Sequence, residues 1–250
     1  MKNGIIGSFR QLMKKKVIIV SVLVAVLVMI NYIEPLLRIY RNAQVLQKGY
    51  HMELFKLGLE SDTLSFFLPI LAVLPFGGCY VDDIKNKFAR FFIIRSSYRI
   101  YFFSRILVGF IAGALTIFLG ILLAGIITAG SIIPFEVHSI HAATSQINDI
   151  TKICALLIIN GGFWSVFGLS MSTIMESKYI AYASPFVLYY LLVILHERYF
   201  PNFIIIYPKI WTNPVVWPYG FWGAVIILLE MTVVSSLIFI LRVKRRLNQL

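Results

Sequence analysis

Charge is scarce in this chain. Only 14% of its 250 residues are Asp, Glu, Lys or Arg, 59% are hydrophobic, and the mean hydropathy is +0.84. A soluble domain carries about a quarter charged residues. The composition therefore leaves room for several membrane spans and little for a separate soluble domain. Cysteine is nearly absent. Cys79 and Cys154 fall at opposite ends of two different apolar runs, which excludes a disulfide framework or a shared metal site. They read as two buried thiols.

The signatures of chemistry are missing as well. No G-x-x-x-x-G-K-[ST] run is present, so the chain has no such loop to cradle nucleotide phosphates. His196-Glu197 does not continue as H-E-x-x-H, and no Ser or Cys nucleophile has an identifiable base. His138 and His141, three apart in a polar stretch, read as solvated side chains rather than as a metal pair. The expectation is a non-enzyme with no cofactor or metal on this chain.

What the chain does have is long apolar runs. Six qualify as spanning helices, at 17–33, 64–81, 100–128, 152–175, 179–196 and 222–241. Each is long enough, with tilt, for about 30 Å of hydrocarbon at 1.5 Å per residue. Lys14, Lys15 and Lys16 before the first run resemble the start of a secretory signal. The run ends in Asn31-Tyr32-Ile33-Glu34-Pro35 with no small-x-small site, so it reads as an uncleaved first span.

The net charge of +12 does not call for nucleic acid, because the basic residues collect at the ends of apolar runs, where anionic headgroups explain them. Sixteen of the 23 Lys and Arg residues fall on one side, in the N-terminus, segment 82–105, Lys178 and the C-terminus. The other side receives seven, in 34–63 and at Lys152, Arg198 and Lys209. This bias places both termini in the cytoplasm.

Residues 1–16 form an amphipathic pattern. Ile5, Ile6, Phe9, Leu12 and Met13 share one face, with Arg10, Lys14 and Lys15 on the other. The expectation is a helix lying flat on the inner leaflet. Segment 82–105 is basic and aromatic and too long for a hairpin turn. Asp82 and Asp83 suit a helix N-terminus, Ser96 and Ser97 suit the cap of the following span, and a helix over about 82–94 is expected across the membrane face. Tyr98 and Tyr101 are expected at interface depth, with Arg105 snorkelling to water. Residues 129–151, with Glu136, are expected to be solvated. Residues 197–221 hold Pro201, Pro208, Pro214 and Pro218 among aromatic residues. Proline forbids a continuous span there, and the apolar content argues against free solvation, so a broken, re-entrant segment is expected.

Glu230 is the one carboxylate well inside a span, where a charge costs about 2.5–3.5 kcal/mol on insertion scales. It is expected to face the bundle interior. With Asn160, beside Gly161 and Gly162, it is a candidate for a substrate path. Gly109 and Gly113 form G-x-x-x-G, a helix-contact pattern.

Asp83, Lys85, Asn86, Arg95, Ser97, Tyr101 and Arg105 match, in order and spacing, the loop after the second span of ABC-2 type transporter permeases, which this chain resembles. The family's glycine is Lys87 here. The resemblance extends to the architecture: an all-α membrane protein with an amphipathic N-terminal helix (1–16), six spans, inside termini, a coupling helix (82–95) and a broken segment (197–221) before the last span. It implies a single permease domain over 1–250, in a bacterial plasma membrane. It also implies a separate ATP-binding subunit that carries ATP and Mg, a second permease copy or paralogue, and export of an amphipathic peptide, lipid-like molecule or drug. Asp82, Asp83, Lys85, Arg90, Arg95, Tyr98, Tyr101 and Arg105 are the docking and anchoring candidates it implies. A non-transporting membrane scaffold or immunity protein that uses the same basic segment is the alternative, and an intramembrane enzyme built on Glu230 is a third.

Overall fold

An apolar run without Gly or Pro can satisfy its backbone in hydrocarbon only as a helix, and α1 (Lys15–Ile30) follows such a run. The computed structural model describes residues 15–42, 46–47, 49–88, 92, 97–136, 144–217 and 219–247. The interface helix expected over 1–16 therefore lies almost wholly outside the described residues, as do His138, His141 and Pro218. After α1 come α2 (Ile33–Asn42), α3 (Tyr50–Leu59), α4 (Asp62–Val73), α5 (Cys79–Lys85), α6 (Tyr98–Ile132), α7 (Thr144–Met175), α8 (Lys178–Ile194) and α9 (Gly220–Leu247). No β-strand occurs among the described residues.

Among the described residues, four helical stretches are long and apolar enough to cross a bilayer: Tyr98–Phe135, Gln146–Met175, Lys178–Tyr199 and Gly220–Arg246. These correspond to the last four expected spans. Ser97 caps α6 as expected, its Oγ accepting from the Ile100 amide at 3.4 Å. The first expected span ends early, at Ile30, and the second is interrupted. Between α1 and α2 the chain bends by 63°. Asn31 Nδ2 donates to the Leu27 carbonyl at 2.8 Å and closes the last turn of α1, while the buried Tyr32 bonds Thr128. α2 then places Ile33, Leu37 and Tyr40 on one face and Glu34, Arg38 and Arg41 on another, a pattern for an interface and not for a bilayer core. If the bent pair counts as one span, the total is five.

The run 64–81 is not one helix. α4 has 12 residues, about 18 Å at 1.5 Å per residue, and stops before Pro75-Phe76-Gly77-Gly78. Proline lacks the amide that would continue the ladder, and an added Cβ at Gly77 or Gly78 would collide with Val73 or with Tyr182 and Lys178.

α6 and α7 are antiparallel neighbours at the centre. α1 packs on α6, α8 and α9 pack on α7, and α4 is wedged against α7 and α8. The expected glycine contact is present. Gly113 sits on the Gly161 backbone, and Gly162 faces the Phe110 ring. Neither Cys79 nor Cys154 is in a disulfide. Between α8 and α9 the chain is broken into short helical turns. Trp211, 1% exposed, closes this segment onto the bundle: it stacks at 6.0 Å on Trp164 and donates Nε1–H to the Ile205 carbonyl at 2.9 Å. Pro208, Trp211, Pro214 and Trp217 are buried against the bundle, while Glu197 to Ile205, with Phe200, Pro201 and Phe203, are exposed.

Glu136, expected in solvent, is instead half-buried at the α3 N-terminus. It accepts from the Gly49 and His51 amides at 3.2 and 2.8 Å and pairs with His51 Nδ1 at 2.8 Å. Unpaired helix amides attract a carboxylate, so loop 34–63 is clamped to the end of α6. Burial alone would raise the Glu136 carboxyl, but these hydrogen bonds outweigh it and hold it below its ordinary 4.5. A depressed carboxyl stabilises the fold above its unfolded value and loses that contribution as pH falls through the folded value. Amide protection in α3, taken relative to the intrinsic exchange rate at each pH, is therefore expected to be constant from pH 7 to about 5 and to fall on acidification below about 4.5. A Glu136→Gln variant with the same pH profile would refute the clamp.

Candidate functional site

The candidate site is at the basic end of the bundle, where α5 turns back under α6. An acidic residue beside an apolar run can enter the protein only with a partner. Asp83, 3% exposed, has two, through three contacts. Arg105 Nη2 donates to Oδ1 at 2.8 Å, Arg105 Nε lies 2.7 Å from Oδ2, and the Tyr101 hydroxyl donates to Oδ2 at 2.9 Å. The guanidinium fork matches both carboxylate oxygens. Arg105 is 1% exposed and lies over Phe88, Tyr101 and Phe76 at 5.4, 5.7 and 6.0 Å from the ring centroids. Burial pushes the Asp83 carboxyl up to about 6, against the pull of Arg105 and then Tyr101.

Two expectations are corrected here. Arg105 does not snorkel to water; its guanidinium is held inside by Asp83, from 22 residues earlier. Tyr101 is not an interface anchor but a buried donor to the same carboxylate. Both follow from α5 running beneath the start of α6, which puts an acceptor closer to each than any headgroup.

Of the helix expected over 82–94, α5 supplies the first part; Phe88 and Phe92 are again helical, and 89–91 and 93–94 lie outside the described residues. α5 begins at Cys79 and ends at Lys85, and Lys87 adopts φ 56°. That left-handed residue ends the helix in the way glycine usually does, at the position where the resembled loop carries glycine.

Around this centre, ion pairs tie α5 to the rest of the basic end. Asp82 pairs with Lys178 at the start of α8 at 2.5 Å. Next to Lys178, Glu176 in the α7–α8 turn pairs with Arg246 of α9. Glu176 also has positive φ, 52°, which closes the hairpin tightly. The Asp83–Arg105 and Asp82–Lys178 pairs put α5 in direct ionic contact with α6 and with the α7–α8 hairpin. These half-exposed outer pairs contribute little stability singly; what they fix is relative position. Beyond them Lys85, Asn86, Lys87 and Phe88 form an exposed corner, with Tyr98 exposed nearby in sequence on α6. Phe92 joins Phe88 and Tyr101, at 5.8 and 5.7 Å between ring centroids, to the buried centre.

The structure thus brings together Asp83, Tyr101 and Arg105 in the interior and leaves Lys85 and Tyr98 at the surface. Asp82 is half-exposed. Arg90 and Arg95 lie outside the described residues. The substrate-path pair is not assembled. Asn160, on α7, is buried, its Oδ1 without a hydrogen bond among the described residues. Glu230, expected to face inward, is exposed on the outer side of α9. Sequence reasoning also missed Lys178 and Glu176 as partners, because an ion pair across helices leaves no local spacing signal. Among the described residues no cluster of His, Cys, Asp or Glu could hold a metal ion. No family model, curated protein or solved structure matches the chain.

Proposed function

We propose that this chain is the membrane-spanning permease subunit of an ATP-driven exporter of ABC-2 type, and that the corner 85–88 is where a separate ATPase subunit grips it. The observation that carries the reading is the construction of that corner. It is exposed, basic and aromatic, yet its base is fixed by a buried ion pair to α6 and a second ion pair to the α7–α8 hairpin. A solvated loop needs neither. A lever that passes movement from a soluble motor to several spans needs both, because force travels only through packed or paired contacts. The left-handed Lys87 supports the reading further, since the turn keeps the backbone that the family's glycine would supply.

In this reading the basic end, with both termini, faces the cytoplasm of a bacterial cell. ATP and Mg bind the partner ATPase, and closure of two ATPases pushes on α5. Asp83, Tyr101 and Arg105 transmit that push into α6. Two permease copies or a paralogous pair form the translocation unit, and the cargo is an amphipathic peptide, a lipid-like molecule or a drug.

The test is co-purification with the ATPase encoded beside this chain's gene. The double charge reversal Lys85→Glu/Lys87→Glu touches only exposed side chains. It should leave the thermal unfolding of the permease unchanged and weaken ATPase binding about tenfold or more, the equivalent of about 1.4 kcal/mol. Unchanged binding and unchanged ATP hydrolysis in that variant would reject the transport reading.

A further inference from the structure

One apolar stripe of α2 is left half-uncovered by the described residues. Ile33, Leu37 and Tyr40 are 52, 60 and 51% exposed, and at 3.6 residues per turn they fall within an arc of about 60°. On the opposite side of the helix are Pro35 and Arg38. With Glu34, Ile39, Leu46 and Tyr50 these line a cavity of about 510 Å³.

Attachments to the end of α6 fix how α2 lies. The Tyr32 hydroxyl, at the bend before α2, bonds Thr128. The Tyr40 hydroxyl donates to the Ser131 carbonyl at 3.1 Å. Thr128 and Ser131 are about 4.5 Å apart along α6, whereas Tyr32 and Tyr40 are about 12 Å apart along their own chain. α2 therefore runs mostly across the axis of α6, in keeping with the 63° bend from α1. The segment that follows α2 is attached farther out. The Leu46 amide donates to the Phe135 carbonyl at 2.9 Å, and the Gly49 and His51 amides donate to Glu136. Leu46 and Tyr50 thus lie beyond α2, away from the basic end of the bundle, and meet Pro35 and Arg38 across the cavity. The stripe on the other side is turned back toward the basic end.

Depth follows from the same helix. Thr128 is 23 residues past Arg105, about 34 Å at 1.5 Å per residue, against about 30 Å of hydrocarbon. With the charged centre at Arg105 on one edge of the bilayer, the bend at Tyr32 is at the other. The exposed apolar face of α1, with Val22, Val26 and Ile30, leads up to that bend and meets the stripe there.

We propose that α2 is an interfacial anchor. Ile33, Leu37 and Tyr40 are seated among the upper acyl carbons and glycerol groups of phospholipid, in the leaflet away from the basic end. Glu34, Arg38 and Arg41 stay in the headgroup layer, the division of faces that holds a helix in the membrane surface. The anchor is independent of the transport reading.

The test is electron paramagnetic resonance of nitroxide-labelled protein in vesicles of phosphatidylethanolamine and phosphatidylglycerol, with the wild-type chain setting the background from Cys79 and Cys154. Oxygen concentrates in hydrocarbon, and a nickel chelate stays in water. A label at Leu37→Cys should collide with oxygen more often than with nickel, as should the reference label at Val22→Cys on α1. At Arg38→Cys the order should reverse. All three side chains are exposed, so thermal unfolding of each variant should match the wild type. An excess of nickel collisions at Leu37 would put the stripe in water. Shielding of Leu37 from both reagents would put another protein chain over it. Either result overturns the proposal.

Discussion

Replacing Asp83 with alanine lowers the stability of the folded protein by about 3–5 kcal/mol, the cost of taking one partner from a buried ion pair. The magnitude follows from burial. Asp83 and Arg105 are 3% and 1% exposed, so a guanidinium stripped of its carboxylate stays in a pocket of Phe76, Phe88 and Tyr101 where water cannot replace the anion. Arg105→Ala is expected to cost as much for the converse reason. Tyr101→Phe removes one donor to a charged acceptor and should cost about 1.5–3 kcal/mol. The double replacement Asp83→Leu/Arg105→Met exchanges the pair for apolar volume and should recover most of the loss. Unfolding titrations in mixed micelles provide the double-mutant cycle. Single-variant losses under about 1 kcal/mol would mean that the pair behaves as a surface salt bridge, and its role as the anchor of the corner would fall with that result. The double variant also separates anchoring from docking, since it should be folded yet respond more weakly to the ATPase.

How much of this could be read from the sequence depends on whether the signal is local. α6, α7, α8 and α9 follow long apolar runs, and their existence was plain from hydropathy; α6, α7 and α9 extend beyond those runs, and α8 stops two residues short, at Ile194. The second span was over-read, because hydropathy averages across Pro75-Phe76-Gly77-Gly78, and the end of the first was set three residues late, because it averages across Asn31-Tyr32; both breaks sit in residues that an average hides. The buried centre at Asp83 was only half legible. Its residues were singled out, but a basic side chain near a span end looks the same whether it reaches water or a carboxylate 22 residues upstream. The clamp of Glu136 on Gly49 and His51 joins loops more than 80 residues apart and has no local signature. Glu230 failed for a different reason. Hydropathy gives depth along a helix, and a helical wheel gives direction only when one stripe is polar. On α9 both the buried and the exposed stripe are apolar, so the wheel could not say which one faced the bundle.

Gly113→Ala is expected to destabilise the protein although alanine is the better helix former. Two effects oppose each other. Removing a glycine from a helix interior favours folding by up to about 1 kcal/mol. Against that, a Cβ at Gly113 would overlap the Gly161 carbonyl oxygen and stand 2.6 Å from Ser165 Cβ. The first obstacle is backbone, so neither rotamer change nor a flexible tip can relieve it. α6 and α7 must separate, and overpacking of this kind costs about 1–3 kcal/mol. The surrounding contact is also the one most dependent on close approach, because helices in lipid associate by packing and not by the hydrophobic effect. The net expectation is a loss of about 1–2 kcal/mol for alanine, and a larger one for Gly113→Val. Gly130 on the same helix is the internal control: nothing lies within 4 Å of a Cβ added there. Gly130→Ala should be neutral or stabilising by up to about 1 kcal/mol. Thermal unfolding of the two alanine variants, measured side by side in the same detergent, decides the matter. Equal behaviour would mean that α6 and α7 are not in backbone contact at Gly113, and the central pair on which α1, α4, α8 and α9 all pack would have to be drawn apart.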